Sequence, residues 1–311
     1  MKLVLKALSA LFSSLPLGAA LAIGRGIGWF LGSVARYRRA VVQQALSRCF
    51  PEKTPQERHV ILRRTYANLG MNISEMLRLP GLSEAEAREM VSLEGLEHGR
   101  RAHEKGRGVV VLCGHIGNWE LLAAVTPLFG YPLTIIAKAI KNSSLQAFWS
   151  SVRQRFGSKV LPAHGSYRAC LKALRNRETV GFILDQNMTR EEGIFVDFFG
   201  KPACTTPGLA YMAAQTGAPV LPVFILRSAD PRRHVIKILP AVMPPADASR
   251  ESMRAFTQEC TKILENIIRE YPEQWTWIHR RWRTKPVPGT SWGADRTGYL
   301  PPGCVFPSSS L

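Results

Sequence analysis

The chain changes its hydrophobic rhythm twice along its length. Near the start, an uncharged run from Ala7 to Gly24 is interrupted only by Pro16 and three serines. Apolar character resumes after Arg25 through Trp29, Phe30, Leu31 and Val34. From Arg36 the pattern turns helical. Leu62, Tyr66, Leu69, Ile73 and Met76 follow one another in alternating steps of four and three, one apolar face at helical period. Thr54, Pro55 and Glu57 supply the N-cap, first-turn proline and capping box for that helix, and Ser83 with Glu86 repeats the box for the next.

From about Leu93 short apolar runs alternate with helical segments. Predicted strands are Gly108–Cys113, Leu133–Ala137, Lys159–Leu161, Thr179–Leu184, Val220–Leu226 and His234–Leu239. Predicted helices are Asn118–Phe129, Ser144–Phe156, Tyr167–Asn176, Pro207–Thr216 and Ser249–Glu270. Alternation of this kind predicts an α/β fold with a mixed, largely parallel sheet flanked by helices. The unbroken apolar strands fit burial on both faces. The predicted organisation is a hydrophobic N-terminal anchor over residues 1–35, a helical segment over 36–92, an α/β segment over 93–285 and a loose Pro/Gly/Ser-rich tail over 286–311.

The anchor has three readings. Its uncharged run is at the lower limit for a span, which takes about 20 residues. Lys2, Lys6 and the Ala20-Leu21-Ala22 triplet resemble a cleavable signal. The cluster Arg36, Arg38, Arg39 tends to hold the following chain in the cytoplasm. A segment lying in or partly crossing the bilayer, a single span and a cleaved signal all remain open.

Charge adds a second constraint. A net charge of +18 calls for an anionic partner: nucleic acid, an anionic membrane or an acidic protein. The six cysteines form no C-x-x-C pair and read as free thiols in a reducing compartment. The seven histidines are scattered, so neither a metal nor a cofactor is expected. "GRGIGW" at Gly24 follows no strand and is set aside as a nucleotide loop.

One motif carries chemistry. The apolar run Val109–Cys113 stops at Gly114, His115 follows, and Glu120 stands five positions on. Ligands gather beyond the carboxyl ends of strands in open α/β sheets, which is where His115 would sit. Asn118 is a natural N-cap, and Glu120 in the first helical turn can fold back to one imidazole nitrogen. The other nitrogen is then free to take a proton, and the nucleophile would be a substrate hydroxyl. Asp185 and Gln186 end the strand "VGFILDQ" at the same sheet edge, to position an acceptor or support the charge relay. Lys138 and either Arg153 or Arg155, with Arg153 preferred, are candidates for acceptor phosphates. Thr205 or Thr206 with Pro207 marks a helix start. For the oxyanion, backbone N–H groups near Gly117 and Asn118 or a nearby arginine are candidates. "EQWTWIHRRWRTK" interleaves Trp275, Trp277 and Trp282 with Arg280, Arg281, Arg283 and Lys285, which suits nucleic acid or a membrane interface.

"GHIGNWE" resembles the His-x4-Glu signature of the bacterial lipid A late acyltransferases, within the glycerolipid acyltransferase superfamily. "RRAVVQQALSRCFPEKTPQERHVILRRTYANLG", "AKAIKNSSL", "VGFILDQNMTREEGIFVDFFGKPACTTPGLAYMAAQTGAPVLPVFILR" and "YPEQWTWIHRRWRTK" extend the resemblance from Arg38 to Lys285. The family often has Arg where this chain has Lys138, which keeps the charge without the bidentate fork. The resemblance implies an acyltransferase with His115 and Glu120 catalytic and with Asn118, Lys138, Arg153, Asp185 and Gln186 contacting substrate. The implied donor is an acyl carrier protein or coenzyme A thioester, and the implied acceptor a lipid A precursor. A lysophospholipid, an ornithine lipid or a glycosylated phosphoinositide is the alternative acceptor. Membrane rather than nucleic acid is the implied partner, at the cytoplasmic side of a bacterial inner membrane.

Overall fold

The computed structural model describes residues 2–163 and 165–287, and the tail predicted over 286–311 lies outside them from residue 288 on. Two short helices come first, α1 (Lys2–Ser14) and α2 (Leu17–Trp29), the second running on into a π-helical turn over Phe30–Val34. Pro16, which has no N–H to donate, separates them in an extended conformation. Next come α3 (Arg39–Cys49), α4 (Pro55–Arg78) and α5 (Glu84–Met90). Both predicted capping boxes are present, Thr54 with Glu57 and Ser83 with Glu86.

α2 packs on α4 through glycine. Gly24 and Gly28, one helical turn apart, press on Gly70 and Tyr66, so closely that a Cβ on Gly28 would lie 2.0 Å from the Tyr66 carbonyl oxygen. Two backbones in contact need small residues at the crossing. Gly24 and Gly28 of "GRGIGW" therefore serve helix packing, while Gly26 faces open space. α4 is consequently enclosed over its second half: Gly70, Met71, Asn72, Ser74, Glu75, Met76 and Leu77 are all buried, whereas the predicted single face would bury only a stripe.

The sheet has seven strands: β1 (Val91–Glu94), β2 (Val109–Cys113), β3 (Leu133–Ala137), β4 (Lys159–Pro162), β5 (Thr179–Ile183), β8 (Val220–Arg227) and β9 (His234–Ile238). Their order is β1-β9-β8-β2-β5-β3-β4. Every neighbouring pair is parallel except β8 with β9. The hairpin β6 (Ile194–Phe198) and β7 (Lys201–Thr205) stands apart. Six strands match the predicted ones to within a residue or two. β1 and the hairpin escape the pattern because they are short and carry polar residues or proline.

Residues of β2 alternate between two cores. Val109, Val111 and Cys113 face α6 (Leu96–Glu104) and α7 (Trp119–Val125). Val110 and Leu112 face α9 (Tyr167–Arg175), α10 (Gly208–Thr216) and α11 (Arg250–Glu270). α8 (Ser143–Arg153) packs beside α7 at the edge of the first layer. The five cysteines among the described residues are buried.

Candidate active site

Strand pairing alone brings two site residues together. β2 and β5 are parallel neighbours with Cys113 opposite Ile183. Two residues beyond that pair, His115 leaves one strand and Asp185 the other. His115 Nδ1 lies 2.7 Å from Asp185 Oδ1, and the His115 backbone N–H donates to Asp185 Oδ2 at 2.7 Å. Trp275 Nε1 donates to the same Oδ2, also at 2.7 Å. The carboxylate is buried, yet two N–H donors and the facing imidazole hold it ionised. Burial works to raise the Asp185 pKa, and the His115 charge with the surrounding hydrogen bonds outweighs it, so the group stays well below the usual carboxylate range. Burial likewise opposes charge on His115, but the Asp185 carboxylate prevails and raises the imidazole above its ordinary pKa.

The tautomer follows. Nδ1 carries the proton facing Asp185, and Nε2 presents its lone pair to the cavity, with the Gln186 side-chain nitrogen 3.3 Å away. The backbone of His115 is fixed as well, since Thr276 donates to its carbonyl from both N (3.0 Å) and Oγ1 (2.9 Å).

Glu120, expected on the imidazole, is turned the other way. Arg153 holds it in a fork, Nε to Oε2 and Nη2 to Oε1, each at 2.8 Å, and Trp149 Nε1 donates to Oε1 at 3.0 Å. α7 aims this side chain at α8, while β5 delivers Asp185 to the nitrogen Glu120 was to occupy. Arg153 therefore lines the cavity as expected but is paired with Glu120, and Arg155 points away to the Leu82 carbonyl. Lys138 and Gln186 are exposed at the cavity lining.

Asn118 caps α7 by accepting from the Leu121 N–H at 3.1 Å, and its amide donates to buried Glu75 at 2.7 Å. With its side chain buried and both ends engaged, it holds the turn; the expected substrate contact is not available to it. Gly117 N–H is taken by the Gln274 carbonyl at 3.0 Å, which removes it as an oxyanion donor. Of the two threonines, Thr206 lines the cavity and Thr205 is buried, receiving a hydrogen bond from Arg281. The tryptophan–arginine segment is partly interior: Trp275, Trp277 and Arg281 are buried, and the first two belong to the core beneath the site. Trp275 and Trp277 are thereby withdrawn from any stacking surface, while Arg280, Arg283 and Lys285 stay exposed.

Sequence reasoning missed two features. His279 lines the cavity with its ring 5.4 Å from that of His115, and burial together with the neighbouring His115 depresses its pKa. Glu75, on α4, gathers Arg227, His234 and Asn118 into one buried cluster. No local pattern announces either, because their partners are more than forty residues away.

A cavity of about 1280 Å³ opens at His115 and runs along the sheet face formed by Val111, Cys113, Leu221, Val223, Ile236 and Ile238. Cys113 offers no nucleophile there, since burial pushes its thiol up to about 12. A substrate hydroxyl can serve as nucleophile at His115, and the apolar channel beside it has room for a fatty chain. Fold and site together suit acyl transfer, an imidazole with a free nitrogen standing at the mouth of an apolar cavity.

Sequence comparison narrows the class. The model for the bacterial lipid A biosynthesis acyltransferases matches residues 3–284, and the chain belongs to that family. It is 29% identical over 280 residues to the lipid A biosynthesis palmitoleoyltransferase of Escherichia coli, covering 89% of each chain. Identity to a lipid A biosynthesis acyltransferase of Haemophilus influenzae is 28% over 261 residues, 83% of this chain and 80% of the relative. A phosphatidylinositol mannoside acyltransferase of Mycolicibacterium smegmatis is 29% identical over 227 residues, 71% and 72% of the two chains.

Proposed function

We propose that this protein moves a fatty acyl chain from an acyl carrier protein thioester to a hydroxyl of a phosphorylated lipid A precursor. The His115–Asp185 contact of 2.7 Å beside an apolar cavity carries the reading. The acceptor hydroxyl gives its proton to His115 Nε2 as its oxygen attacks the thioester carbonyl carbon. A carbon–oxygen bond forms, the tetrahedral oxyanion collapses, and the carbon–sulfur bond breaks. The imidazolium returns its proton to the departing thiolate, so ester and thiol leave together. Asp185 keeps the tautomer and stabilises the imidazolium. Glu120 and Arg153 act as one ion pair beside the base, shaping the wall of the site. Lys138 and Arg283, both exposed at the cavity lining, supply the positive field for phosphate.

Membrane seating rests on the first 35 residues, ahead of a catalytic unit over 36–285. α1 and α2 bury one side against α4 and expose Leu3, Val4, Leu11, Ile23, Trp29, Phe30 and Val34 on the other. Leu17–Val34 is long and apolar enough to cross a bilayer. Its 18 residues extend about 27 Å, close to the hydrocarbon thickness of about 30 Å. The basic cluster after it favours a cytoplasmic catalytic unit on the inner membrane.

The mycobacterial relative supports a second acceptor, a glycosylated phosphoinositide. Lipid mass spectrometry of cells with and without the gene separates the two. Loss of one acyl chain from lipid A supports the first; unchanged lipid A with a deacylated glycolipid supports the second. Purified protein that transfers no acyl group to either acceptor, with His115→Ala indistinguishable from the parent, would end the acyl-transfer reading.

A further inference from the structure

The cavity has a far end, and its residues differ in kind from those along its walls. β2 and β5 begin together, Val109 opposite Thr179. There, at the sheet edge opposite His115, the cavity is lined by Gly99, His103, Tyr131 and Thr179. Gly99 and His103 are one turn apart on α6 and so share a face. The His103 ring is fixed at both nitrogens, Nδ1 to the Gly99 carbonyl at 2.9 Å and Nε2 to Thr179 Oγ1 at 3.0 Å. Tyr131 packs on that ring with centroids 4.7 Å apart. A hydrocarbon reaching this point meets a locked pair of polar-tipped rings instead of more aliphatic wall. Gly99 leaves the space beside them clear: a Cβ there would come no nearer than 3.7 Å to Tyr131 Oη and 4.0 Å to the methyl groups of Leu221 and Ile238.

We propose that the His103–Tyr131 pair, with Gly99 beside it, is the stop that sets the length of acyl chain this enzyme transfers, and that the preferred chain is of intermediate length. This rests on the acyl-transfer reading above. The distance from the first residue of β2 to His115 is about 15–20 Å at roughly 3.3 Å per strand residue. An extended hydrocarbon with ordinary bond lengths and angles advances about 1.25 Å per carbon, so the channel takes about 12–16 carbons beyond the reacting carbonyl. The floor cannot recede to admit more without breaking the His103 hydrogen bonds.

The test uses the full-length protein in detergent with a ladder of acyl carrier protein thioesters from about eight to about sixteen carbons, products read by mass spectrometry. The parent is expected to show a maximum near the upper middle of the ladder. Gly99→Met fills the end of the channel and should move the maximum about three or four carbons shorter, because its side chain is about that long. Tyr131→Ala removes the stop and should move it longer. Thermal melting of each variant shows whether it is folded. Folded variants that both keep the parent profile overturn the proposal, as does a parent with no chain-length maximum. A parent that transfers no chain of any length instead counts against the acyl-transfer reading itself, so the two failures are distinguishable.

Discussion

Replacing Asp185 by Asn tests the relay directly. The carboxylate accepts from His115 Nδ1 through one oxygen and from His115 N and Trp275 Nε1 through the other. An amide of the same shape has one acceptor oxygen. If that oxygen stays with the two fixed N–H donors, the amide nitrogen faces Nδ1. The imidazole must then accept there and carry its proton on Nε2, where it cannot act as a base. The charge is lost as well. With charge centres about 4 Å apart at an effective dielectric of about 20, the carboxylate stabilises the imidazolium by about 4 kcal/mol, or about a thousandfold in rate. The wrong tautomer alone lowers kcat about 10⁴-fold in a Ser-His-Asp triad. Asp185→Asn should therefore reduce kcat by about 10³- to 10⁴-fold in an acyl-transfer assay, with KM for the donor changed little. Its remaining activity should titrate at lower pH, since burial now acts on His115 without the opposing carboxylate. A folded variant with kcat within tenfold of the parent and an unmoved acidic limb would refute the relay.

Glu120→Gln should behave differently. It leaves the Arg153 guanidinium short of a counter-charge in a largely buried setting, which costs about 3–5 kcal/mol and should appear as a lower melting temperature. The parent's kcat/KM should rise with pH through a limb above about 6.5, because His115 is raised and only its neutral form accepts a proton. The stability from the same pair runs the opposite way. Since the folded His115 pKa lies above its unfolded value, that stabilisation is full below about 6.5 and is lost as pH rises through the folded value. At the acid end the depressed Asp185 contributes above about 3.9 and loses its contribution as pH falls toward the folded value, which pH-dependent melting will show. Gly28→Leu should drive α2 off α4, lowering stability by about 3 kcal/mol or more and exposing α2 to proteolysis; a parent-like melt would contradict the glycine contact.

The sequence determined the layered fold, because the apolar period of each strand and helix is a local property and survives without its neighbours. It also determined both capping boxes and the sheet-edge position of His115, since caps and strand ends are written in adjacent residues. The choice between Glu120 and Asp185 was not local. Spacing within one helix turn offered Glu120, whereas only the order β2-β5 puts Asp185, 70 positions away, on Nδ1. The pairing of Glu120 with Arg153, the use of Asn118 as a clamp on Glu75 and the interior place of Trp275 are decided the same way. Each depends on which surfaces meet after folding. A residue's chemical type is fixed by the chain, but its partner, its burial and hence its charge state belong to the packed molecule.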